Sequence, residues 1–351
     1  KRLRPPIFLI RTESMYTNDK HLLMVRPDHY RVEYEINPWM KGNIDKSNVE
    51  EARQQWEDYY HKLSREARVD VLPQGENVPD MVFAANGAFV LDGVAVISNF
   101  RHPERHPESE VFEQWFREQG YKTFRLPEGL SFEGAGDALV DTYRQLIWIG
   151  YGPRTNLDAH RLVAAMVNHP VLSLRLVDER FYHLDTCFAP LSGGHVLYYP
   201  NAFDRASQQV IDEQISHEHR LPISTADAVS FVCNCVEAAD GKLFMHDCSS
   251  DLEQRLNLAG YEVVRTNLSQ FHLAGGSNRC LVLRLDDTVA QTDARPESNF
   301  AEREVELKGH LIDEGLLSRA FDVITEKGGS FEIVTFKPGV HPHDQTFARL
   351  K

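Results

Sequence analysis

Apolar residues along the chain fall into short alternating runs, and each pair of runs is followed by a longer stretch with helical spacing. The clearest unit begins at Met81, where MVFAANGAFVLDGVAVISNF predicts two strands on either side of Asp92-Gly93, a dipeptide that favours a two-residue hairpin turn. A helix is predicted next. It starts near Pro107 with Glu108 and Glu110 in its first turn, lines Val111, Phe112, Trp115 and Phe116 along one side, and stops at Gly120. YKTFRL then supplies another strand.

The same order recurs with a period of about 50 residues. GDALVDTYRQLIWIGYG leads into a helix around Ala159 to Val167 and on to VLSLRLV. HLDTCFAPLSGGHVLYYP leads into a helix around Ala206 to Ser216. FVCNCVEAADGKLFMHD leads through a helix near Leu252 to Leu258 to YEVVRTN. An N-terminal copy takes VRPDHYRVEYEINP as strands and a helix from Val49 to Arg65. Five such copies suit a closed radial α/β arrangement, in which polar residues at the strand entrances gather round a central cavity. An ordinary α/β sheet protein whose hairpins only turn the chain fits the pattern equally well.

After Leu285 the rhythm breaks into DDTVAQTDARPESNFAERE, which is expected to be a linker over residues 287–303. Residues 1–286 are then one domain, and 304–351 the start of a second, truncated one. In it VELKGHLIDEGLLSRAFDVI has helical spacing and GSFEIVTFKPG resembles a strand.

Charge and cysteine content narrow the class of function. A net charge of −14 over 351 residues argues against a nucleic-acid partner, which clustered Lys and Arg would have to attract. The apolar runs are too short for a membrane span, Ile7 to Ile10 included, so a soluble cytoplasmic protein is expected. Five scattered cysteines do not make a disulfide framework, and Cys233 and Cys235 in an apolar alternation are expected as structural thiols on one face of a strand. HEH at His217–His219 and HPHD at 341–344 read better as exposed segments than as metal ligands.

Three polar clusters stand at strand entrances. Cys280 follows a Gly-Gly turn in LAGGSNRCLVLRL, His183 and Asp185 open HLDTCF, and Glu133 and Asp137 lie in SFEGAGDAL. Taken singly, each is as well explained by a core thiol, a surface hydrogen bond or a capped turn. Their recurrence at equivalent places in successive repeats favours a shared site.

Together these elements resemble the guanidino-group-modifying superfamily, which includes arginine deiminase, dimethylarginine dimethylaminohydrolase and glycine amidinotransferase. The resemblance covers about residues 20–285. It implies a five-bladed pseudosymmetric α/β propeller (the pentein fold) with Cys280 as nucleophile, His183 as general acid and base, and Glu133 and Asp185 gripping a guanidinium. Arg154, in GYGPRTN, would pair with the substrate α-carboxylate, and Arg105 or its neighbour Arg101 would stand near the same end. The substrate-binding set expected around them is Asn37, Phe83, Asn86, Arg105, Asp137, Arg154 and Ala274, with no metal.

Two features depart from the deiminase pattern. Asn86 ends FAAN where those relatives carry Asp, and EGAGD has one residue more than the usual EGGD. With INPWM at Ile36–Met40, they make the chain most similar to the arginine dihydrolase domains of bifunctional bacterial enzymes, whose later region, of the ornithine cyclodeaminase type, the segment from Glu304 resembles. The reaction implied converts L-arginine to L-ornithine, carbon dioxide and two ammonia through a Cys-linked thiouronium and citrulline. An amide can donate to the ureido oxygen of citrulline and accept from its nitrogen, whereas a carboxylate only accepts, so Asn86, assisted by Asn37, is expected to hold citrulline for the second step. Alternatives are a deiminase stopping at citrulline, an amidinotransferase, a dimethylarginine hydrolase and a non-catalytic arginine sensor. The resemblance further implies a homo-oligomer, no cofactor for this domain, and NAD only for an absent C-terminal portion.

Overall fold

The computed structural model describes residues 20–239, 241–289, 305–309, 333–337 and 346–350. Ile7–Ile10 and the HPHD motif lie outside them. The chain divides into two units, one up to residue 290 and one from 291 onward.

In the first unit the hairpins form where the turn chemistry places them. β1 (His21–Val25), helix α1 (Val49–Leu63) and β2 (Arg68–Leu72) come first, with β1 and β2 parallel. Asn48 caps α1 by accepting from the backbone N–H groups of Glu50 and Glu51 at 3.1 and 3.2 Å, and Ala52, Trp56, Tyr59 and Leu63 form its buried face. β3 (Ala88–Leu91) and β4 (Val94–Ile97) turn through Asp92 and Gly93 at φ 48° and 77°, the left-handed pair that matches strand twist. Helix α2 (Glu108–Glu118) buries Phe112 and Phe116 and returns to β5 (Lys122–Arg125), parallel to β4. Each of those phenyl groups contributes about 1.5–3 kcal/mol by leaving water.

The next blade opens with the single turn α3 (Gly134–Asp137) and continues through β6 (Ala138–Asp141), β7 (Leu146–Tyr151), α4 (Leu157–Val167) and β8 (Val171–Arg175). A fourth holds β9 (Phe188–Pro190), β10 (Val196–Tyr198), α5 (Arg205–Gln214) and β11 (Arg220–Pro222). The short helix α6 (Thr225–Val229) precedes a fifth, made of β12 (Val236–Ala239), β13 (Lys242–Met245), α7 (Ser250–Leu258) and β14 (Glu262–Arg265). After the single turn α8 (Ser269–His272), β15 (Val282–Arg284) pairs antiparallel with β1, Leu23 opposite Leu283.

That last pairing closes the ring of five three-stranded blades. It also corrects the N-terminal repeat, whose hairpin was expected within VRPDHYRVEYEINP. Residues 26–37 carry no strand, and β1 finds its antiparallel partner some 260 residues later. The expected linker also begins too early: Asp287 receives Arg284 Nε at 2.8 Å and its carbonyl accepts from Asp92 N at 3.1 Å, while Val289 is buried against Phe89 and Leu91. Residues 287–289 therefore belong to the ring.

The second unit contains β16 (Val305–Gly309), β17 (Ile333–Lys337) and β18 (Thr346–Leu350), antiparallel in the order β16-β18-β17. VELKG, expected to open a helix, is thus a strand. Its Val305, Leu307 and Gly309 alternate as well as they fit a helical period, and register with Leu350, Ala348 and Thr346 decides between the two.

Candidate active site

A one-turn helix or tight turn precedes the first strand of each blade, and all five turns point polar residues at the ring centre. The turns at Ala84–Asn86, Gly134–Asp137, Leu184–Thr186, residues 231–234 and residues 278–281 supply Asn86, Asp137, Asp185, Asn234 and Cys280, with Glu133 and His183 just ahead of the second and third. His183 and Asp185, expected at a strand entrance, stand at this tight turn ahead of β9. Cys233 and Cys235 likewise flank a turn, since β12 starts only at Val236.

Glu133 is the hub. Its Oε2 accepts from His183 Nε2 at 2.7 Å and from Arg154 Nη1 at 2.9 Å, and its Oε1 from the backbone N–H of Arg101 at 3.1 Å. Burial alone would raise its pKa, but Arg154 and the bond from His183 hold it well below the usual carboxylate range. An ionised carboxylate only accepts, so the His183 proton sits on Nε2 and Nδ1 presents a lone pair to Asn86 Nδ2 at 3.5 Å. Burial, opposed by Glu133, lowers the His183 pKa to about 4, so the imidazole is neutral at rest.

Arg105 fixes the Asn86 amide by donating from Nη1 to Oδ1 at 2.9 Å. It is also held by Glu108 through two 2.8 Å bonds and by the carbonyl of Asp80 at 3.2 Å. Arg105, expected beside the substrate, is buried with four of its five N–H groups committed inside the protein, where it supports Asn86, and one N–H on Nη1 remains. Arg101 is exposed, and only its backbone reaches the site. Arg154 lies over the Tyr182 ring at 4.7 Å and donates to the carbonyl of Ile36 at 2.9 Å, leaving a second N–H on each terminal nitrogen.

Cys280 is 2% exposed. Its sulfur lies 3.6 Å from Asp185 Oδ2 and 3.2 Å from Asn234 Nδ2. Burial and Asp185 push the thiol pKa well up. Asp185 Oδ1 is buried without a hydrogen-bond partner, as is Asp80 Oδ1. Glu133 was expected to share the cation with Asp185; its Oε2 serves His183 and Arg154 and its Oε1 the Arg101 backbone, whereas Asp185 Oδ1 has no donor. Asp137 also differs from expectation: its oxygens take Thr155 Oγ1 at 2.6 Å and Leu184 N at 3.1 Å, which pins the turn carrying His183.

The remaining expected residues form walls. Asn37 is held within the protein, Oδ1 capping Trp39 and Met40 and one Nδ2 N–H donating to the Ala274 carbonyl at 3.0 Å. The Phe83 ring lies so near the backbone at Gly276 that a Cβ there would stand 2.2 Å from it, and Gly275 beside it has φ 82°. The sequence reading missed Asp80, Thr155, Glu108 and Asn234. Asp80 hides in PDMVF, an apolar run that forms a 3-10 turn, and Asn234 stands between two cysteines that drew the attention.

Burial raises the Asp185 pKa to about 7, against about 4 in an unfolded chain. Between those values the native state keeps a proton that the unfolded chain has lost, so this contribution to stability is present in acid and disappears as pH rises through 7. Asp185→Asn, which does not titrate, is expected to gain melting temperature relative to the parent as pH rises from about 4 to about 8. A difference constant with pH would show that Asp185 ionises normally.

A family model described as eukaryotic N,N-dimethylarginine dimethylhydrolase matches residues 27–286, and one for the conserved region of LOR/SDH bifunctional enzymes matches residues 302–351. Over 335 residues the chain is 43% identical to the bifunctional arginine dihydrolase/ornithine cyclodeaminase AgrE of Nostoc sp., covering 95% of this chain and 47% of that one. The chain thus spans about half the length of the curated relatives it matches most extensively. It is 37% identical to the N(G),N(G)-dimethylarginine dimethylaminohydrolase of Mycobacterium tuberculosis, covering 75% of this chain and 84% of the relative. The substrate-bound N-terminal domain of ArgZ, a cyanobacterial arginine dihydrolase, superposes with a TM-score of 0.76 at 46% identity over 78% of this chain and all of that one. AgrE in complex with ornithine and NAD+ gives 0.77 at 43% identity, over 95% of this chain and 49% of that one.

Proposed function

Since the chain belongs to the N,N-dimethylarginine dimethylhydrolase family, we propose that its ring is an arginine dihydrolase that takes L-arginine to L-ornithine, carbon dioxide and two ammonia. The observation that carries this reading is the buried, unpartnered Asp185 Oδ1 beside the nucleophile, with a second buried carboxylate oxygen, Asp80 Oδ1, at the Arg105 end, faced by the Tyr34 hydroxyl. Buried acceptors short of donors are costly, and a ligand with a guanidinium at one end and an ammonium at the other supplies both. The site also holds five carboxyls, Asp80, Glu108, Glu133, Asp137 and Asp185, against the guanidinium groups of Arg105 and Arg154, which suits a cation. The spare N–H groups of Arg154 take the α-carboxylate.

In the first half-reaction the Cys280 proton passes to His183 and the sulfur pair forms a C–S bond with the guanidinium carbon. The C–N pair then leaves with ammonia, which takes that proton and leaves a thiouronium. His183, oriented by Glu133, next removes a proton from water attacking the same carbon, and the thiolate departs from citrulline. In the second round Cys280 attacks the ureido carbon of citrulline, with Asn86 Nδ2 donating to its oxygen, and the second ammonia leaves a thiocarbamate; water then displaces the thiolate, and the carbamate formed loses carbon dioxide to give ornithine. Both rounds are redox-neutral and their atoms balance with two water molecules, so the proposal includes no cofactor for the ring. It assigns NAD to a part of the longer relatives outside the ring. A cytoplasmic homo-oligomer without a nucleic-acid partner completes the proposal, and among the described residues no helix is long and apolar enough to cross a membrane.

Product analysis of the purified chain with arginine tests the reading. Two ammonia per ornithine are expected, with citrulline only transient. Citrulline accumulating as the end product restores a deiminase.

A further inference from the structure

Four of the five central turns carry groups already given a task. The fifth, residues 231–234, contributes Asn234, which is 0% exposed. Its Oδ1 accepts from the backbone N–H of Cys280 at 3.1 Å, and its Nδ2 donates to the Cys280 sulfur at 3.2 Å and to the Asp185 carbonyl at 3.2 Å. Because Oδ1 is held by a backbone donor, the amide has one orientation, with Nδ2 between the sulfur and the Asp185 carbonyl. The turn is tied on its other side as well, since Arg279 N donates to the Asn234 carbonyl at 3.0 Å. Phe231 opens it at φ 59°, a left-handed conformation that a bulky residue adopts only when its surroundings enforce it. Its ring centroid lies 4.6 Å from that of Trp39 and 4.9 Å from that of His272, which supplies the enforcement.

We propose that Asn234 is a catalytic residue that donates a hydrogen bond to the Cys280 thiolate before attack and releases it as the sulfur enters the thiouronium. This rests on the reading of Cys280 as nucleophile. The other polar side chain bonded to the sulfur, Asp185, works in the opposite direction, since a carboxylate favours the thiol over the thiolate. Further titratable and charged groups facing Cys280 or Asp185 are Tyr182, from the same segment as Asp185, and Arg279 along the chain. The Tyr182 hydroxyl is occupied by the Gly275 carbonyl at 2.8 Å, so Asn234 is the neutral side-chain donor on the sulfur among the described residues. An N–H that strengthens as negative charge builds on the sulfur, and weakens once the charge has gone into the C–S bond, assists formation of the nucleophile more than it stabilises the adduct.

The test is the rate of Cys280 alkylation by iodoacetamide across a range of pH, without substrate, on the full chain. Peptide mass analysis separates Cys280 from the other four cysteines. Asn234→Ala is expected to slow alkylation about ten- to a hundredfold at a fixed pH below the thiol inflection, the loss of one charge-assisted hydrogen bond. Asn234→Ser, which keeps a hydroxyl donor, should recover part of that loss, and Asn234→Asp should be slower than Asn234→Ala. The turnover number should fall by a factor similar to that for alkylation, while KM changes by less than about threefold. Alkylation profiles that superimpose on the parent for variants with unchanged melting temperature overturn the proposal. If Asn234→Ala does not fold, the order of Asn234→Ser and Asn234→Asp decides in the same way. If alkylated parent enzyme still turns over arginine, the nucleophile reading itself fails and the proposal falls with it, an outcome distinct from a failure of Asn234 alone.

Discussion

Cys280→Ala is expected to lower arginine turnover by at least about 10⁴-fold while leaving arginine binding measurable by calorimetry. The sulfur is the only group that the proposed mechanism lets bond to carbon. Asp185, His183, Glu133 and Arg154 are held by contacts that mostly do not involve it: His183 by Glu133 at 2.7 Å, Arg154 by Glu133 and Ile36, and the turn carrying His183 by Asp137. Alanine removes one weak contact to Asp185 and one to Asn234, and the Cys280 backbone keeps its bond to Asn234 Oδ1. The melting temperature should therefore change little. Turnover within tenfold of the parent would remove Cys280 from the chemistry.

The sequence made the periodic parts of this ring legible and hid the parts that depend on distant partners. Hairpins at Asp92-Gly93 and helices such as α1 and α2 declare themselves, because a left-handed turn pair and a capped amphipathic stripe are local. The turns that build the site are local too, but they lie inside apolar runs. MVFAAN, HLDT and FVCN each look like the first half of a strand, whereas their residues pack the ring centre from a single helical turn. Pairing of β1 with β15 was invisible for the complementary reason. It is a tertiary contact between ends of the ring, and the segment after β1 carries enough Val, Tyr and Ile to imitate a second strand.

The site shows the same division. Gly-rich turns flag Cys280 and Glu133, the head of an apolar run flags His183 and Asp185, and all four are buried, His183 bonded to Glu133 and Cys280 to Asp185. Their division of labour was not legible. Whether Glu133 holds the substrate or holds His183 depends on Arg154, 21 positions away, and whether Arg105 faces solvent, substrate or Glu108 depends on how α2 packs. Asp80 and Asn234 escaped because each lies inside an apolar run, PDMVF and FVCNCV, that looks like part of a strand.

Asn86→Asp is expected to turn the end product from ornithine to citrulline, changing the ratio of the two by at least about tenfold, a difference of about 1.4 kcal/mol between competing steps. Arg105 Nη1 already donates to Oδ1 at 2.9 Å and will pair with the new carboxylate, so the side chain should keep its place. Its other oxygen then stands where Nδ2 now faces His183 Nδ1 at 3.5 Å. An acceptor there draws a proton onto Nδ1 while Nε2 still donates to Glu133, which raises the His183 pKa from its value of about 4 and favours the imidazolium. The imidazolium still protonates the first ammonia. His183 is the base for water in both rounds, so this shift slows both; what separates them is that the carboxylate cannot donate to the ureido oxygen of citrulline, which only the second round needs. Ammonia release should continue at one equivalent per arginine consumed, and chromatography of a quenched time course reads both products. Ornithine with two equivalents of ammonia from this variant would show that the amide at position 86 does not set the product.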